Sequence, residues 1–553
     1  MVRILNPLFL FIFWITLEST ESLSHSIKRV PNFRTFKNVF FITQGGGTSH
    51  HLWVFEILEE LHTRGHNVSF YSTGDQISMS KDYSMIQTYE LGGPKGFLDG
   101  LAKGDNLHHL EQHKFTVPTL KHSMKDYELV FPEIQKLYAE SKPDVVLCDS
   151  FYLACADAAM IMKIPLIMTS TFLPYRDAMQ PFVYTKISVA NYPSTKEDSI
   201  FKKLFKKIYV PLYVWRHTRS LKRIFAFQKS LGLKPAMSAS ADRYKRVTKI
   251  ANNVYGLEPS RETSQLVHAI GPIMKKSYPS LDNSTALFLE GHTRTVYVAF
   301  GQFATPTRED KEILLSNLLK LRYEGYIDGI IWSRLNFDNL PERIRIPLVN
   351  GSYITTTPTK LQNDPHLFTP TWAPQYAILQ HTSTRLFVSH GGCGSLHESL
   401  YSGTAVFSYP FFGDQPINSR MIKRLGVGDF MDATHMSFSK EDHQVLYAKL
   451  VLLLVDPSGK ISDRLKSFSS YLQVHAERGA TRGADLVEEA LFSSDERGYL
   501  SHRQDLKYEM HWLKRYDIDM YSALVVLCVF VSVLGDQILK YYSSSPVHKI
   551  KVK

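Results

Sequence analysis

The chain has 553 residues, too many for a single hydrophobic core, so its length predicts two large domains with smaller additions. Hydrophobic residues make up 44% and charged residues 21%, which excludes a mainly disordered chain and a collagenous repeat. The net charge of +11 is compatible with binding to nucleic acid, to an anionic membrane surface or to an anionic small molecule. Composition alone does not distinguish these three classes of partner. The four cysteines lack CxxC or zinc-type spacing, so neither a disulfide scaffold nor a structural zinc site is expected.

The N-terminus has the layout of a secretory signal peptide. Arg3 is followed by an apolar stretch of ten residues at 8–17 and then by a short run of small polar residues. We assign residues 1–24 as the signal peptide, with a buried helix as the alternative.

The first half of the chain begins with a predicted βαβ unit. A buried strand at 39–43 leads through three glycines at 45–47 into a helix with apolar residues at helical spacing, and a second strand follows at 68–71. This succession is typical of a parallel sheet. Because the glycines do not spell GxGxxG, the fingerprint of a dinucleotide site is absent.

The same alternation continues further along the chain. A strand at 144–148, a helix at 154–162 and a strand at 164–168 extend it. We therefore predict a doubly wound, Rossmann-like domain over residues 25–275.

A basic run interrupts the pattern at 201–223. It holds eight Lys or Arg residues and no acidic residue, with aromatic and aliphatic residues between them. Two interpretations stay open: a solvated helical face kinked at Pro211, or an amphipathic stretch that rests on a membrane surface.

A second alternating region follows a turn-rich linker at 271–285. Strands are predicted at 295–300 and 329–332, with a helix at 308–323 between them. We predict a second Rossmann-like domain over residues 285–485, so that two α/β domains face each other across a ligand-binding cleft.

The strongest local motif is a glycine turn between a strand and a helix. A strand at 386–389 is followed by a glycine turn at 390–394, a helix at 395–402 and a strand at 405–409. The free backbone N–H groups of a helix N-terminus favour an anion such as phosphate. The side chains of His390 and Ser395 stand on either side of this turn and can add donors.

The C-terminal region contains a predicted membrane span. Residues 521–535 carry no charge, and the flanking residues extend the predicted transmembrane helix to 518–539. The tail at 540–553 is basic, which predicts that it lies in the cytosol. The chain is then expected to be a single-pass type I membrane protein whose body lies in the lumen. Lys549 and Lys551 resemble a dilysine retrieval signal, which indicates the endoplasmic reticulum membrane.

The sequence from Trp372 to Pro416 closely resembles the signature of the UDP-glycosyltransferase family, which includes the membrane-bound UDP-glucuronosyltransferases. The signal peptide, two halves and anchor extend the resemblance over nearly the whole chain. It implies a GT-B fold and an inverting transfer of a hexose, glucose or glucuronate, from a UDP-sugar.

The resemblance also implies contacts for individual residues of this span. Trp372 is expected to stack on uracil, Gln375 to meet the uridine, His390 and Ser395 to hold the diphosphate in the turn with Gly392 and Gly394, Glu398 to bind the ribose hydroxyls, and Asp414 with Gln415 to bind the sugar hydroxyls. Gly394 departs from the asparagine common at this position, so Ser395 or the turn backbone is expected to replace that contact.

A general base is needed to activate the hydroxyl of the acceptor, and histidine suits this task near neutral pH. In the family the base lies in the first βα turn, before a helix that ends in Arg-Gly-His. Counting back from Arg64 selects His50, with His51 as the alternative, expected to be a partly exposed residue at the helix N-terminus. That helix N-terminus is expected to lower the pKa of His50.

A carboxylate is expected to orient this base, as in serine hydrolases. Asp149 follows a strand at the carboxyl edge of the sheet and resembles the family's aspartate. Asp144 precedes that strand, at the opposite edge, and Asp157 lies within the next helix, so both are rejected.

No cofactor and no metal are expected. Asp517 and Asp519 match an Asp-x-Asp metal pair but flank the predicted span, far from the cleft. The expected partners are the UDP-sugar, a small lipophilic hydroxyl acceptor (a sterol, lipid or xenobiotic) and the membrane, without nucleic acid, and a homo-oligomer stays open. The alternative function is a catalytically silent relative that binds a nucleotide sugar or a partner.

Overall fold

The computed structural model describes residues 33–44, 46–92, 112–184, 194–196, 198–348, 351–432 and 437–544. The predicted signal peptide at 1–24 and residues 545–553 of the predicted tail lie outside these residues.

Within the described residues, seven strands form the first sheet, and all of their pairings are parallel. They are β1 (Asn38–Ile42), β2 (Asn67–Ser72), β3 (Gln87–Glu90), β4 (Val145–Asp149), β5 (Leu166–Ser170), β6 (Thr248–Ala251) and β7 (Val267–Ala269). Their spatial order is β3-β2-β1-β4-β5-β6-β7, which is a doubly wound sheet.

Helices cover both faces of this sheet. They are α1 (Thr48–Thr63), α2 (Gln112–Met124), α3 (Tyr127–Ser141), α4 (Leu153–Ile161), α5 (Ile200–Leu204), α6 (Val210–His217) and α7 (Lys222–Ser230). Alternate residues of β1 enter different cores: Phe40 and Ile42 pack with α3 and α4, whereas Val39 and Phe41 pack with α1. Burial on both faces explains why the inner strands β1, β4 and β5 are mainly apolar, whereas the exposed edge strand β3 is polar.

The second region forms a sheet of six parallel strands and a separate antiparallel hairpin, among the residues that the structure describes. The strands are β8 (Thr295–Ala299), β9 (Gly329–Trp332), β10 (Ile344–Pro347), β11 (Tyr353–Thr356), β12 (Leu367–Phe368), β13 (Thr384–Ser389), β14 (Ala405–Ser408) and β15 (Gly428–Phe430). The order of the sheet is β12-β9-β8-β13-β14-β15, and β10 pairs with β11.

The helices of this region and of the C-terminal segment follow the predicted alternation. They are α8 (Asn283–Glu290), α9 (Arg308–Tyr323), α10 (Pro358–Gln362), α11 (Gln375–Gln380), α12 (Cys393–Tyr401), α13 (Gln415–Leu425), α14 (Lys440–Val455), α15 (Lys460–Ala476), α16 (Gly479–Ser493), α17 (Trp512–Arg515) and α18 (Ile518–Ser544). A capping box of Thr307 and Asp310 starts α9 at the residue predicted for it. The predicted strands and helices of the two domains occur, with ends shifted by at most two residues, whereas α18 extends five residues beyond the predicted span.

Helix α16 returns from the second region to the first. Ala484, Val487 and Ala490 pack in the same core as α1, and a Cβ added at Gly483 would lie 2.4 Å from Cδ1 of Ile57. The carboxylate of Glu488 accepts hydrogen bonds from Arg34 and Arg64. Residues 479–485, which the sequence analysis assigned to the second domain, therefore pack on the first.

The basic run folds as one helical stretch with an irregular turn. A π-helical turn at Phe205–Tyr209 joins α5 to α6, and Pro211 lies in the first turn of α6. The backbone stays in the right-handed helical region across Tyr209 and Val210, so Pro211 lies within a continuous helical stretch, where a proline removes one backbone hydrogen bond. The π-helical turn lies directly before the proline, and the kink predicted at Pro211 stays a prediction.

Helix α18 has 27 residues and none of them is buried. By length and composition it is long and apolar enough to cross a membrane. The helix contains the span predicted at 518–539.

A disulfide joins Cys148, in β4, to Cys155, in α4. The two residues are seven apart in sequence, and their Cα atoms lie 5.8 Å apart. Residue spacing alone does not reveal this bridge, because it depends on how α4 packs against its strand.

Candidate functional site

A cavity of about 200 Å³ lies between the carboxyl edges of the two sheets. Both domains line it, the first through residues 46–50 and Phe151, the second through residues 301–304. Seven of the predicted site residues are among its lining: His50, His390, Gly392, Gly394, Ser395, Asp414 and Gln415.

The first glycine turn positions His50. Gly46 has a φ of +106°, and an added Cβ would lie 2.7 Å from the imidazole ring of His50. Only glycine tolerates both conditions without strain. The turn leads into α1, so that His50 stands in its first turn and faces the cavity.

Strand register brings Asp149 beside this turn. Ile42 of β1 pairs with Cys148 of β4, so Asp149 lies at the same carboxyl edge as the turn. Its Oδ2 is 2.8 Å from Nδ1 of His50, and its Oδ1 accepts a hydrogen bond from the backbone N–H of Phe151 at 2.9 Å. The carboxylate is buried and held from two sides, which fixes the orientation of the imidazole.

The charge state of His50 differs from the expectation. Burial favours the neutral ring, but the Asp149 carboxylate outweighs it and, with Asp414, raises the pKa of His50 above its ordinary value. The expected lowering by the helix N-terminus is therefore wrong, because a carboxylate in contact acts more strongly than the helix dipole.

His51 is fully buried, so the expectation of a partly exposed residue is also wrong. Its Nδ1 lies 3.1 Å from the carbonyl oxygen of Gly47, which makes Nδ1–H the donor. Burial lowers the pKa of His51 to about 4. The side chain is absent from the described lining of the cavity.

The second glycine turn builds an anion site. Gly391 has a φ of +82°, and an added Cβ would lie 2.4 Å from Oγ of Ser408. Helix α12 begins at Cys393, two residues earlier than predicted, with Gly392 as its N-cap. The backbone N–H groups of Cys393, Gly394 and Ser395 therefore lie in the first turn of the helix, where they have no intrahelical partner and can bind an anion.

His390 lies in this turn as a neutral group. Burial lowers the pKa of His390 to about 4. Its Nδ1 is buried and, among the described residues, has no hydrogen-bond partner. The imidazole can therefore donate one hydrogen bond to a ligand without carrying a positive charge.

Gln375 and Glu398 form a polar pair next to the second turn. Nε2 of Gln375 donates to Oε2 of Glu398 at 2.7 Å and to Oγ of Ser395 at 3.3 Å. Burial raises the pKa of Glu398 to about 7, although the bond from Gln375 opposes this shift. Trp372 is 62% exposed, so its ring does not belong to a core and is accessible to a ligand.

Asp414 and Gln415 start helix α13 at the edge of the cavity. Oδ2 of Asp414 accepts a hydrogen bond from Asn418 at 2.7 Å. Oε1 of Gln415 accepts the backbone N–H groups of Phe411 and Phe412 at 2.8 and 3.1 Å. The side-chain amide oxygen of Gln415 thus holds the loop before α13.

Gln302 and four phenylalanines of the cavity, one of them Phe412, were not among the predicted site residues. The backbone N–H of Thr48 donates to Oε1 of Gln302 at 3.4 Å, which links the two domains. Phe303 lines the cavity from the same loop, while Phe151 and Phe172 line it from the first domain. The carboxyl-edge rule that selected Asp149 also applies to the loop after β8, and would have found Gln302.

An apolar pocket of about 390 Å³ adjoins the cavity. The two share Thr119, Phe151 and Phe172. The remaining described lining is uncharged: Thr116, Leu120, Ser123, Ser150, Leu153, Pro174, Met179, Val210, Pro211, Val214, Trp215, Met237, Ser238, Ala239 and Ser240. A pocket of this lining suits an apolar molecule that presents one polar group to His50.

Within the described ranges, no group of three or more His, Cys, Asp or Glu side chains is arranged to hold a metal ion. Asp517 immediately precedes α18 and Asp519 lies in its first turn.

Comparisons with known proteins agree with this architecture. Residues 41–448 match the family described as UDP-glucoronosyl and UDP-glucosyl transferase. The UDP-glycosyltransferase FPY2 of Fusarium mangiferae is 25% identical over 420 residues, which cover 71% of this chain and 73% of the relative. The UDP-glycosyltransferase stmC of Aspergillus ustus is 24% identical over 517 residues, covering 87% of this chain and 92% of the relative.

Solved structures show the same fold. The glycotransferase of kitacinnamycin has a TM-score of 0.57 at 18% identity and covers 82% of this chain and 98% of its own. Phytolacca americana UGT2, solved with UDP-2fluoro-glucose and pterostilbene, has a TM-score of 0.55 at 17% identity, covering 82% of this chain and 99% of its own. The fold is therefore GT-B, as predicted, and the family match spans most of the chain. The protein belongs to the UDP-glycosyltransferase family and is an enzyme that transfers a sugar from a UDP-sugar.

Proposed function

We propose that the protein transfers a hexose, glucose or glucuronate, to a hydroxyl of a small lipophilic acceptor with inversion at the anomeric carbon. The observation that carries this proposal is the 2.8 Å contact between Nδ1 of His50 and Oδ2 of Asp149, where the cleft meets the apolar pocket. Nδ1–H donates to the carboxylate, which leaves Nε2 as the basic nitrogen of the ring.

The proposed reaction is a single displacement. Nε2 of His50 takes the proton of the acceptor hydroxyl while the oxygen attacks the anomeric carbon from the face opposite UDP. The bond from that carbon to the β-phosphate oxygen breaks, and its electron pair leaves with UDP. Asp149 stabilises the imidazolium that forms on His50. The raised pKa of His50 favours this protonated form.

The second domain supplies the donor site in this proposal. The first-turn N–H groups of α12, together with His390 and Ser395, receive the negative charge that develops on the diphosphate. Gly392 and Gly394 let the phosphates approach the backbone closely.

The nucleoside and the sugar are assigned to the surrounding residues. Trp372 stacks on uracil, Gln375 contacts the uridine and Glu398 accepts from the ribose hydroxyls, while Asp414 and Gln415 bind the sugar. In Gln415 the Nε2 amide group is the contact, because its oxygen already holds the loop.

We further infer a single-pass type I protein of the endoplasmic reticulum membrane, with α18 as the span and the two domains in the lumen. Transfer is expected without a metal or other cofactor, because the helix N-terminus already provides positive electrostatic potential for the diphosphate. Activity should persist in EDTA. A loss that manganese restores would contradict metal independence.

A donor screen tests the function. The purified full-length chain is incubated in EDTA with UDP-glucose or UDP-glucuronate and a lipophilic phenol, and the anomeric configuration of the product is read by NMR. We expect a β-glycoside from the α-linked donor. An α-glycoside would refute inversion, whereas UDP binding without product from any donor would favour the catalytically silent alternative.

A further inference from the structure

An exposed apolar stripe runs along the basic helical stretch of the first domain. Its members are Phe201, Leu204, Ile208, Leu212 and Trp215, and we call them the 201–215 stripe. Their spacings of three and four residues place them on one helical face. Phe201 is 79% exposed and Trp215 is 60% exposed, so this face does not contribute to a core.

The charges around the stripe select what can cover it. Residues 200–223 include eight Lys or Arg and no acidic residue. A second copy of the chain, docked by a two-fold axis on the same patch, would bring these charges together. An anionic lipid surface instead attracts the lysines and accepts the apolar side chains between its headgroups.

The C-terminal segment leaves from the same domain. Arg246 donates to the carbonyl oxygen of Tyr508 at 3.1 Å, and Gln504 donates to the carbonyl oxygen of Arg246 at 3.1 Å. Nine residues, 509–517, then reach the start of α18. Fully extended, they span at most about 30 Å. A bilayer crossed by α18 therefore lies close to the first domain.

The apolar pocket opens beside the stripe. Trp215 belongs to the stripe and also lines the pocket, together with the exposed Pro211. Ser240 lines the same pocket, five residues before Lys245, whose Nζ lies 4.8 Å from the ring centroid of Tyr508. The stripe, the pocket and the attachment of the C-terminal segment thus share one part of the domain.

We propose that the 201–215 stripe docks into the interface of an anionic lipid bilayer and places the mouth of the apolar pocket at the lipid surface. A lipophilic acceptor dissolved in the bilayer would then enter the pocket without crossing water. The identity of the pocket as the acceptor site rests on the proposed function, whereas the docking itself does not.

Lipid quenching of a fluorophore tests the docking directly. The full-length chain carries Cys528→Ser to remove the exposed thiol, and receives Phe201→Cys, Leu212→Cys or Trp215→Cys, each labelled with NBD. Leu287→Cys, 70% exposed on the second domain, is the matched control. Each variant is inserted into nanodiscs containing doxyl lipids, and retained UDP binding shows that it is folded.

Emission from the three stripe positions should fall about twofold, because the apolar face of such a helix lies roughly 5–10 Å into the interface. The control should keep its emission. Stripe labels quenched no more than the control would overturn the proposal. A second outcome would also overturn it. If the labels are shielded from water but are not quenched by lipid in discs that hold two chains, a second copy of the chain covers the stripe.

Charge provides a second arm. Quenching at Phe201→Cys should be stronger in discs with phosphatidylserine than in discs of phosphatidylcholine alone, and Lys202→Glu with Lys203→Glu should remove that difference. If quenching is the same in both kinds of disc, with and without the two lysine substitutions, the role of anionic lipid in the proposal is overturned. Neither arm uses sugar transfer, so a failure of docking is distinguishable from a failure of the proposed function.

Discussion

The two domains use the same unit, a strand, a glycine turn and a helix, and differ in what stands beside its histidine. In the first domain Asp149 contacts His50 and raises the pKa of the ring. In the second, burial acts on His390 without an opposing carboxylate, and lowers its pKa to about 4. The same structural unit therefore produces two different histidines. The ring of His50 is suited to accept a proton, and the ring of His390 is suited to donate a hydrogen bond while it is neutral.

The two turns divide the proposed work: the first activates the acceptor and the second binds the donor. The carboxylate makes the first turn suitable for forming a cation. The first-turn N–H groups of α12 make the second turn suitable for holding an anion. Changes in the first turn should therefore alter turnover, and changes around the second should alter affinity for UDP.

The largest effect is expected from removing the base. His50→Ala should lower kcat about 10³-fold, within the usual range for losing a general base, while the Kd of UDP stays within twofold. His62→Ala, an exposed histidine of the same helix, is the control. Turnover within tenfold of the unchanged protein would contradict the proposed base.

Replacing the carboxylate should make the first turn resemble the second. Asp149→Asn should lower kcat about 10²-fold and shift the rising limb of the pH–rate profile to lower pH. Turnover needs neutral His50, so it rises with pH through the pKa of this residue. Without the Asp149 carboxylate, burial outweighs the smaller opposing effect of Asp414 and lowers that pKa.

Asp144→Asn, at the opposite edge of the sheet, is the matched control and should leave the limb in place. If the rising limb of the pH–rate profile does not move in Asp149→Asn, a group other than the His50–Asp149 pair sets the pKa of that limb.

Trp372→Ala should affect only the donor side. Loss of stacking should raise the Kd of UDP about tenfold, with kcat at saturating donor almost unchanged. Trp372→Phe should recover most of the affinity. Trp512→Ala, another exposed tryptophan, should change nothing. Calorimetry measures the affinities, and equal values for Trp372→Ala and the unchanged protein would place uracil elsewhere.

The smallest effect concerns the pH dependence of donor affinity. Glu398 has a pKa of about 7, so its carboxylate forms as pH rises through 7, and the ionised form accepts hydrogen bonds more strongly. Affinity for a UDP-sugar should rise about threefold between roughly pH 6 and pH 8.

Glu398→Gln should flatten this dependence. Both proteins carry His50→Ala, which prevents turnover and removes a titrating group. An unchanged slope in Glu398→Gln would exclude Glu398 as its source.

Much of the fold was predictable because its signals are local. Apolar runs, helical periodicity and turn glycines lie within a few residues of each other, so strands such as β1 and β9 were predicted nearly to the residue. The carboxyl-edge rule also predicted that Asp149 lies beside the first turn. Rules of this kind need only the order of strands along the chain.

Other features depend on packing between distant segments. The return of α16 to the first domain places Val487 beside α1, far away in sequence. Full burial of His51 also required the tertiary structure. The bridge from Cys148 to Cys155 needed the angle at which α4 leaves its strand.

The sequence by itself determined the fold class, the two glycine turns and seven of the residues that line the cleft. The tertiary structure alone decided the charge states, because a pKa depends on burial and on neighbours that sequence distance does not reveal. His50 and His390 show this most clearly. They occupy similar turns, and a single carboxylate brought in by a neighbouring strand separates their chemistry.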